Sequence, residues 1–360
     1  MSKTIALMTG GGDCPGLNAA IRTVVRIAVR EYGLRVIGIE DGYEGLIEGR
    51  YRELTPESTR GILRIGGTIL GSSNRTDPSR YMGPNDRHPR DARDEAYDTL
   101  RRIGADAMVV IGGDGTLYLT HAFAAGRFPV VGIPKTIDND VHETDYAIGF
   151  DSCVTTVTEA IDKLHTTAES HHRVVMVEVM GRTAGWVALY AGIAGGADVV
   201  LIPERHYTLD EIVETFEQRA DAGRRFTIAV VAEGATGPEG DMVYRTRNGS
   251  EHSWKLGGVC DALCASLSAI SSNDIRSIVL GHIQRGGSPT VADRLLATQL
   301  AYGAMEGLRQ GADGVMAAKR GLNVTLVPLE RVAIGPRLVS DDDPLLHAAD
   351  QMGMYVGRPR

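Results

Sequence analysis

Cysteine is scarce in this chain: Cys14, Cys153, Cys260 and Cys264 are the four, and none makes a C-x-x-C pair. That argues against a structural zinc or dithiol redox motif and fits a reducing compartment. Cys260 and Cys264, four apart in a helical pattern, read as small core residues on one face. No apolar run approaches ~20 residues, so no membrane span is expected. Thr4–Met8 runs straight into glycines and does not look like a signal peptide. Basic surplus is missing too: 38 Lys and Arg against 46 Asp and Glu leave a net charge of −8, which argues against a general nucleic-acid binder. Low-complexity segments and short-period repeats are absent. The expectation is a cytoplasmic globular protein of ordinary composition, 43% apolar and 23% charged, whose 360 residues suit two domains.

What the chain does have is alternation. Short apolar runs at Thr4–Met8, Arg35–Glu40, Ala107–Ile111, Pro129–Ile133, Val174–Val179, Val199–Ile202, Thr227–Ala232 and Ser277–Leu280 read as strands. Helical patterns lie between most of them: Ala19–Glu31, Asp91–Ile103, from Leu117 on, Asp151 to about Glu169, Leu209–Ala222, Lys255–Ser271 and Val291–Leu308. This is the pattern of an α/β fold with parallel sheets covered by helices on both faces. Polar residues recur where the apolar runs end: Asp13, Asp114, Asp138, Arg182, Glu233, His282 and Arg285. In open α/β sheets that edge is where ligands bind.

The densest such edge is Val131-Gly-Ile-Pro-Lys-Thr-Ile-Asp-Asn-Asp140. It sets a cation, a hydroxyl and carboxylates a few residues beyond a buried strand. Two glycine turns accompany it. Gly10-Gly-Gly-Asp-Cys-Pro-Gly-Leu-Asn18 has strand-turn-helix layout, which aims backbone N–H groups at an anion. It fails the P-loop pattern, because Leu17-Asn18 stands where Lys-Ser/Thr belongs. It fails the dinucleotide pattern as well, with Pro15 in place of the third glycine. A tight structural turn and a phosphate loop of another type both remain open. Gly112-Gly-Asp-Gly-Thr116 repeats the layout with Asp114 in the turn. That carboxylate suits a divalent ion, or alone a local Asx turn. Gly66–Pro78 is Gly/Ser-rich with one cation, Arg75, and reads as a phosphate-approaching loop or a linker. Arg22, Arg26 and Arg30 recur every four residues, a solvated face or an anion site.

Taken in order, these motifs together with Met180-Gly-Arg182 and Gly281-His-Ile-Gln-Arg-Gly-Gly287 resemble the phosphofructokinase family over nearly the whole chain. The resemblance implies two doubly wound, Rossmann-like lobes, 1–149 with 289–335 and 150–288 with 336–360, and an active site in the cleft between them. The implied reaction is a step of glycolysis, Mg²⁺-dependent transfer of the ATP γ-phosphate to the 1-hydroxyl of fructose 6-phosphate. Asp138 matches the family's general base. Asp114 matches its metal-associated carboxylate. Gly11, Arg75, Gly113, Asp114, Gly115 and Thr116 match nucleotide contacts, and Arg75 and Arg182 match cations for the transferring group. Thr136, Ile137, Asp138, Met180, Gly181, Arg182, Glu233, Ile283, Gln284 and Arg285 match the sugar-phosphate side. Arg173, Arg276 and His282 match contacts to the 6-phosphate. In the family the two arginines reach a neighbouring subunit's site, which implies a homo-oligomer, expected to be a tetramer.

The chain departs from the family at the donor site, where Gly115 is combined with Lys135. ATP users resemble one another in having glycine at both positions, and pyrophosphate users in having Asp and Lys. An Asp at 115 would crowd and repel a nucleotide's α-phosphate, whereas a lysine at 135 suits either donor. Exclusion discriminates more strongly than an added cation, so ATP is expected, with a pyrophosphate-dependent phosphotransferase as the alternative. Arg22, Arg26 and Arg224 match effector-site cations of bacterial relatives, but His165 and Ala222 replace two more, so an effector site is expected to be weakened, altered or absent. A non-catalytic sugar-phosphate-binding subunit is disfavoured by the intact Asp114, Asp138, Arg173 and Arg182. A nicotinamide oxidoreductase lacks the glycine spacing it would need.

Overall fold

The structure is a computed structural model that describes residues 3–84, 86–237, 241–246 and 254–359. The chain begins with β1 (Thr4–Thr9), α1 (Leu17–Arg30), β2 (Arg35–Ile39), α2 (Tyr43–Glu48), β3 (Tyr51–Leu54), α3 (Arg93–Ile103), β4 (Ala105–Gly112), α4 (Asp114–Ala124) and β5 (Val130–Pro134). It continues through α5 (Phe150–His171), β6 (Val174–Val179), α6 (Trp186–Ala194), β7 (Val199–Leu201), β8 (Arg205–His206), α7 (Leu209–Asp221), β9 (Thr227–Ala232), β10 (Tyr244–Thr246), β11 (Trp254–Leu256), α8 (Val259–Ile270) and β12 (Ile275–Val279). It closes with α9 (Val291–Arg309), β13 (Val315–Arg320), β14 (Asn323–Pro328), α10 (Leu329–Val332), α11 (Pro344–Gln351) and β15 (Arg358–Pro359).

These elements divide into two compact units, 1–152 with 285–336 and 153–284 with 337–360. The first holds a seven-stranded sheet in the order β14-β13-β5-β4-β1-β2-β3. Its interior strands pair in parallel, and only β3 and β14 at the edges run antiparallel. Strands β1 and β5 are buried throughout, as an apolar run covered on both faces must be. From β1 the chain first builds outward through β2, then crosses to β4 on the other side. The order therefore reverses between β1 and β4, and both glycine turns leave the sheet at that point. The core beneath includes Met8, Ile39, Met108, Val110, Leu117 and Phe123.

The second unit holds a parallel four-stranded sheet, β12-β6-β9-β7. Its order reverses between β6 and β12, where Met180–Arg182 and Gly281–Gln284 leave the sheet. Met176, Leu201, Phe216, Val231, Leu263 and Leu267 pack its core. Among the described residues, no helix is long and apolar enough to cross a membrane.

Several elements differ from the sequence reading. The helix expected from Leu117 starts at Asp114, because Gly113 ends the turn and the chain coils at once. The helix expected from Lys255 starts at Val259, after β11 has paired with β10. Helix α2, Tyr43–Glu48, follows β2 where no helical pattern was expected. Helix α6 was not foreseen: Trp186–Ala194 is apolar on nearly every side and shows no amphipathic period.

Two helix starts in the second unit rest on carboxylates from elsewhere. Glu178, a charged residue inside the buried strand β6, accepts from the N–H groups of Gly258 (2.9 Å) and Cys260 (3.1 Å), at the start of α8. Glu204 accepts from Gly185 N–H at the start of α6 and from Val339 N–H, both at 2.9 Å. A buried carboxylate persists only with such donors. Truncating Glu178 to Ala strands those N–H groups, so Glu178→Ala is expected to cost about 3 kcal/mol. Urea unfolding checks this, and a loss below about 1 kcal/mol would show that water replaces the carboxylate.

Candidate active site

In the first unit the two glycine turns and the end of β5 meet around three side chains. Thr116, in the first turn of α4, lies between Gly10 and Gly112, and a Cβ at either glycine would collide with it. Gly10 N–H bonds to Ile111 C=O at 3.0 Å, tying the turn after β1 to the end of β4. Lys135 is 2% exposed, and its ammonium donates to the Gly12 carbonyl at 2.6 Å. Arg285 donates to the next carbonyl, Asp13, at 3.1 Å. Burial holds the Lys135 ammonium below the ordinary lysine range, and Arg285 adds to that, while Cys14, Asp138 and Asp13 oppose it. Cys14 is itself a buried thiol pushed up to about 12 by desolvation, so it stays protonated.

Beyond Lys135 the backbone is fastened at each step. Thr136 N–H donates to Ile148 C=O at 3.1 Å, and Thr136 Oγ1 accepts from Asp138 N–H at 3.1 Å. Asn139 takes a left-handed φ of 50°. Its amide donates to Asp145 C=O at 3.2 Å and accepts from Ala147 N–H at 3.0 Å. Asp138, 3% exposed, is held on this stapled segment. Ile137, between Thr136 and Asp138, is wholly buried.

The Gly66–Pro78 stretch is no free linker. Ser72 Oγ donates to Gly11 C=O at 2.5 Å, Gly11 N–H to Ser73 C=O at 3.0 Å, and Thr9 Oγ1 to Gly71 C=O at 2.7 Å. Asn18 adds bonds to Ile65, Gly66 and Ile69. Arg75 stands exposed at the tip of this fastened loop. Asp114 is half-buried and Gly115 exposed on the first turn of α4, and a Cβ at Gly115 would meet nothing within 4 Å.

The second unit gathers another set. Arg182 has a left-handed φ of 53°, and its N–H donates to Glu233 Oε1 at 3.1 Å. Gly234 lies directly against the Arg182 carbonyl, so closely that any Cβ would collide with it, and only glycine fits. Gln284 is 0% exposed: it accepts from Met180 N–H at 3.1 Å and donates to Gly281 C=O at 2.9 Å. The sequence reading listed it with substrate contacts. In the structure its side chain joins the loops after β6 and β12. His282 and Ile283 are exposed beside it. Arg285, also read as a sugar-phosphate contact, bonds the first glycine turn through the Asp13 carbonyl. Arg173 and Arg276 share one carboxylate, Asp274, at 2.7 and 2.8 Å. They precede or open β6 and β12, at the end of the strands opposite Met180–Arg182.

Residues 4–308 match the model of the phosphofructokinase family, described as "Phosphofructokinase". The chain belongs to that family. It is 45% identical over 357 residues to an ATP-dependent 6-phosphofructokinase 2 of Clostridium perfringens, covering 98% of each chain. It is 43% identical over 355 residues to a pyrophosphate–fructose 6-phosphate 1-phosphotransferase of Streptomyces coelicolor, covering 98% of this chain and 99% of that one. Among solved structures, the phosphofructokinase of Saccharomyces cerevisiae superposes with a TM-score of 0.78 at 34% identity, over 92% of this chain and 45% of the yeast chain.

The buried ammonium of Lys135 carries a pH signature. A lysine whose folded value lies below its unfolded one binds fewer protons when folded, so stability rises as pH climbs toward the ordinary lysine range. Lys135→Met removes that contribution. The rise in Tm with alkaline pH is expected to be shallower in the variant, and parallel curves would mean the ammonium is not desolvated.

Proposed function

We propose that the protein is a Mg²⁺-dependent 6-phosphofructokinase that takes ATP as donor and fructose 6-phosphate as acceptor. The observation that carries this reading is the seating of Asp138: a nearly buried carboxylate on a stapled segment, three residues beyond an ammonium that is fixed on the first glycine turn. A carboxylate so held can take the proton of the sugar's 1-hydroxyl as that oxygen forms a bond to the γ-phosphorus. The bond from the γ-phosphorus to the bridging oxygen breaks, and ADP leaves with the electron pair. Fixing the reactants and neutralising charge supply most of the catalysis in such transfers.

The residues fit the implied metal. Asp114 offers an oxygen ligand on an open helix turn, and Mg²⁺ is ordinarily held by one or two carboxylates together with substrate phosphates. It would neutralise charge on the donor phosphates. Gly113–Thr116 and Gly11 are the nucleotide contacts of this reading. Arg75 and Arg182 are its cations for the moving group, and Thr136, Met180, Gly181, Glu233 and His282 its sugar-phosphate contacts. Arg173 and Arg276 support self-association: β6 spans six residues, roughly 20 Å, which separates them from Arg182 on the same sheet. Paired on Asp274 at the far end, they suit the 6-phosphate of a neighbouring copy's site, as in a homotetramer.

Overall similarity does not choose the donor, since ATP-named and pyrophosphate-named relatives match almost equally. Gly115 supports ATP in this reading, because the position is open and carries no carboxylate to repel a nucleotide's α-phosphate. Initial rates with fructose 6-phosphate and Mg²⁺ are therefore expected to be at least tenfold faster with ATP than with matched pyrophosphate, and the reverse order would mean that Lys135 overrides Gly115. In the same assay Asp138→Ala is expected to lower kcat by about 10³-fold or more with little change in fructose 6-phosphate affinity, and near-normal turnover would remove Asp138 from the base role.

A further inference from the structure

One buried carboxylate outside these motifs holds the ground on which they stand. Asp293, in the first turn of α9, is 1% exposed. Its Oδ1 accepts from Gly149 N–H at 2.9 Å, and its Oδ2 from Ser152 N–H at 2.8 Å and Ser152 Oγ at 2.6 Å. Those donors are the start of α5, so Asp293 caps that helix from another one. The arrangement is reciprocal. Thr290, the N-cap of α9, accepts from Asp293 N–H at 3.3 Å and donates its hydroxyl to Asp151 of α5 at 2.5 Å.

The residue just before this cap ties the site together. The Ile148 carbonyl accepts from Thr136 N–H at 3.1 Å and from the Cys14 thiol at 3.2 Å, and Ile148 N–H donates to Pro134 C=O at 3.2 Å. Gly149 has a φ of 103°, and a Cβ there would collide with Cys14 Sγ. One turn thus touches the first glycine turn through Cys14 and the base segment through Pro134 and Thr136.

We propose that Asp293 is a positioning residue for phosphoryl transfer, whose carboxylate locks the Ile148–Ser152 turn and through it sets the first glycine turn and the Asp138 segment in register. The inference rests on the reading of those two segments as donor site and base. It needs the ionised form, because a neutral acid keeps one good acceptor oxygen for three donors. Burial pushes the Asp293 carboxyl up to about 6, and Asp151 adds to that, while the bonds from Ser152 and Gly149 oppose it. The other titratable group beside it, Cys14, stays a neutral thiol. Lowering the pH through about 6 then discharges Asp293 and loosens the turn.

The test is kcat and KM for ATP and fructose 6-phosphate between pH 5 and 8, with urea unfolding alongside, for the parent, Asp293→Asn and Ser152→Ala. At pH 7 Asp293→Asn is expected to lose at least tenfold in kcat while either KM changes less than threefold, because displacement of reacting groups costs rate more than binding. The acid limb of kcat near pH 6 in the parent is expected to vanish in Asp293→Asn. In Ser152→Ala, which removes one donor to the charged form, the limb is expected to move to higher pH. Folded Asp293→Asn with parental kcat overturns the proposal, as does an unmoved limb in Ser152→Ala, which decides the matter should Asp293→Asn not fold. A parent that phosphorylates fructose 6-phosphate from neither ATP nor pyrophosphate defeats the functional reading itself and the proposal with it. An active parent with unaffected variants defeats the proposal alone.

Discussion

A buried ammonium on a glycine carbonyl is the constraint around which the first unit is arranged. An unpaired charge at the position of Lys135 would be too costly to keep, and the Gly12 carbonyl at 2.6 Å is what makes it tolerable. That bond joins the end of β5 to the turn after β1, across the intervening strand β4. With Arg285 on the Asp13 carbonyl, it turns two backbone oxygens of the turn toward cations. An anion approaching the same turn therefore meets less negative partial charge. Residues 136–148, next along the chain from Lys135, are stapled by bonds of their own through Thr136 and Asn139.

Helix N-termini show a division of labour. Each concentrates partial positive charge and unpaired N–H groups, and a doubly wound sheet brings many of them to one edge. At α5, α6 and α8 a carboxylate from another element supplies the acceptor: Asp293, Glu204 and Glu178. At α1 and α4 the capping residues are Gly16 and Gly113, which have no side chain to offer. Those two helices follow the glycine turns. The starts of α1 and α4 are thus left to backbone groups, the kind of helix start on which an anion can sit.

Much of this was legible in the sequence because the signals are local. Buried parallel strands show as apolar runs, and the loops after them show their polar residues in order, so Thr136–Asp140, Gly112–Thr116 and Met180–Arg182 could be picked out directly. What escaped depends on partners far along the chain. Nothing near Lys135 announces that its ammonium reaches a carbonyl 123 residues earlier. Nothing near Gln284 in the sequence announces that its side chain is buried between two loops more than a hundred residues apart. Asp293 looks like an ordinary first-turn acid of its own helix, and its position on the start of α5 could not be guessed. Helix α6 escaped for the opposite reason, being buried on almost every side and so lacking a period.

The donor question turns on the same contrast between a local and a remote effect. Relatives named for ATP and for pyrophosphate match this chain at 45% and 43% identity over nearly its full length, so overall similarity does not separate the two donors. A switch that leaves the rest of the protein intact must act where few other groups are disturbed. Position 115 meets that condition: it is exposed, lies on a helix first turn and has open space where a Cβ would stand. Position 135 does not, because its side chain is buried and anchored on the first turn, and changing it disturbs the scaffold that either donor would use. A lysine tied to a backbone carbonyl is first a structural tether, and its charge is already partly satisfied before any phosphate arrives. In the proposed reading, the open face at Gly115 is then the feature left to discriminate between the donors.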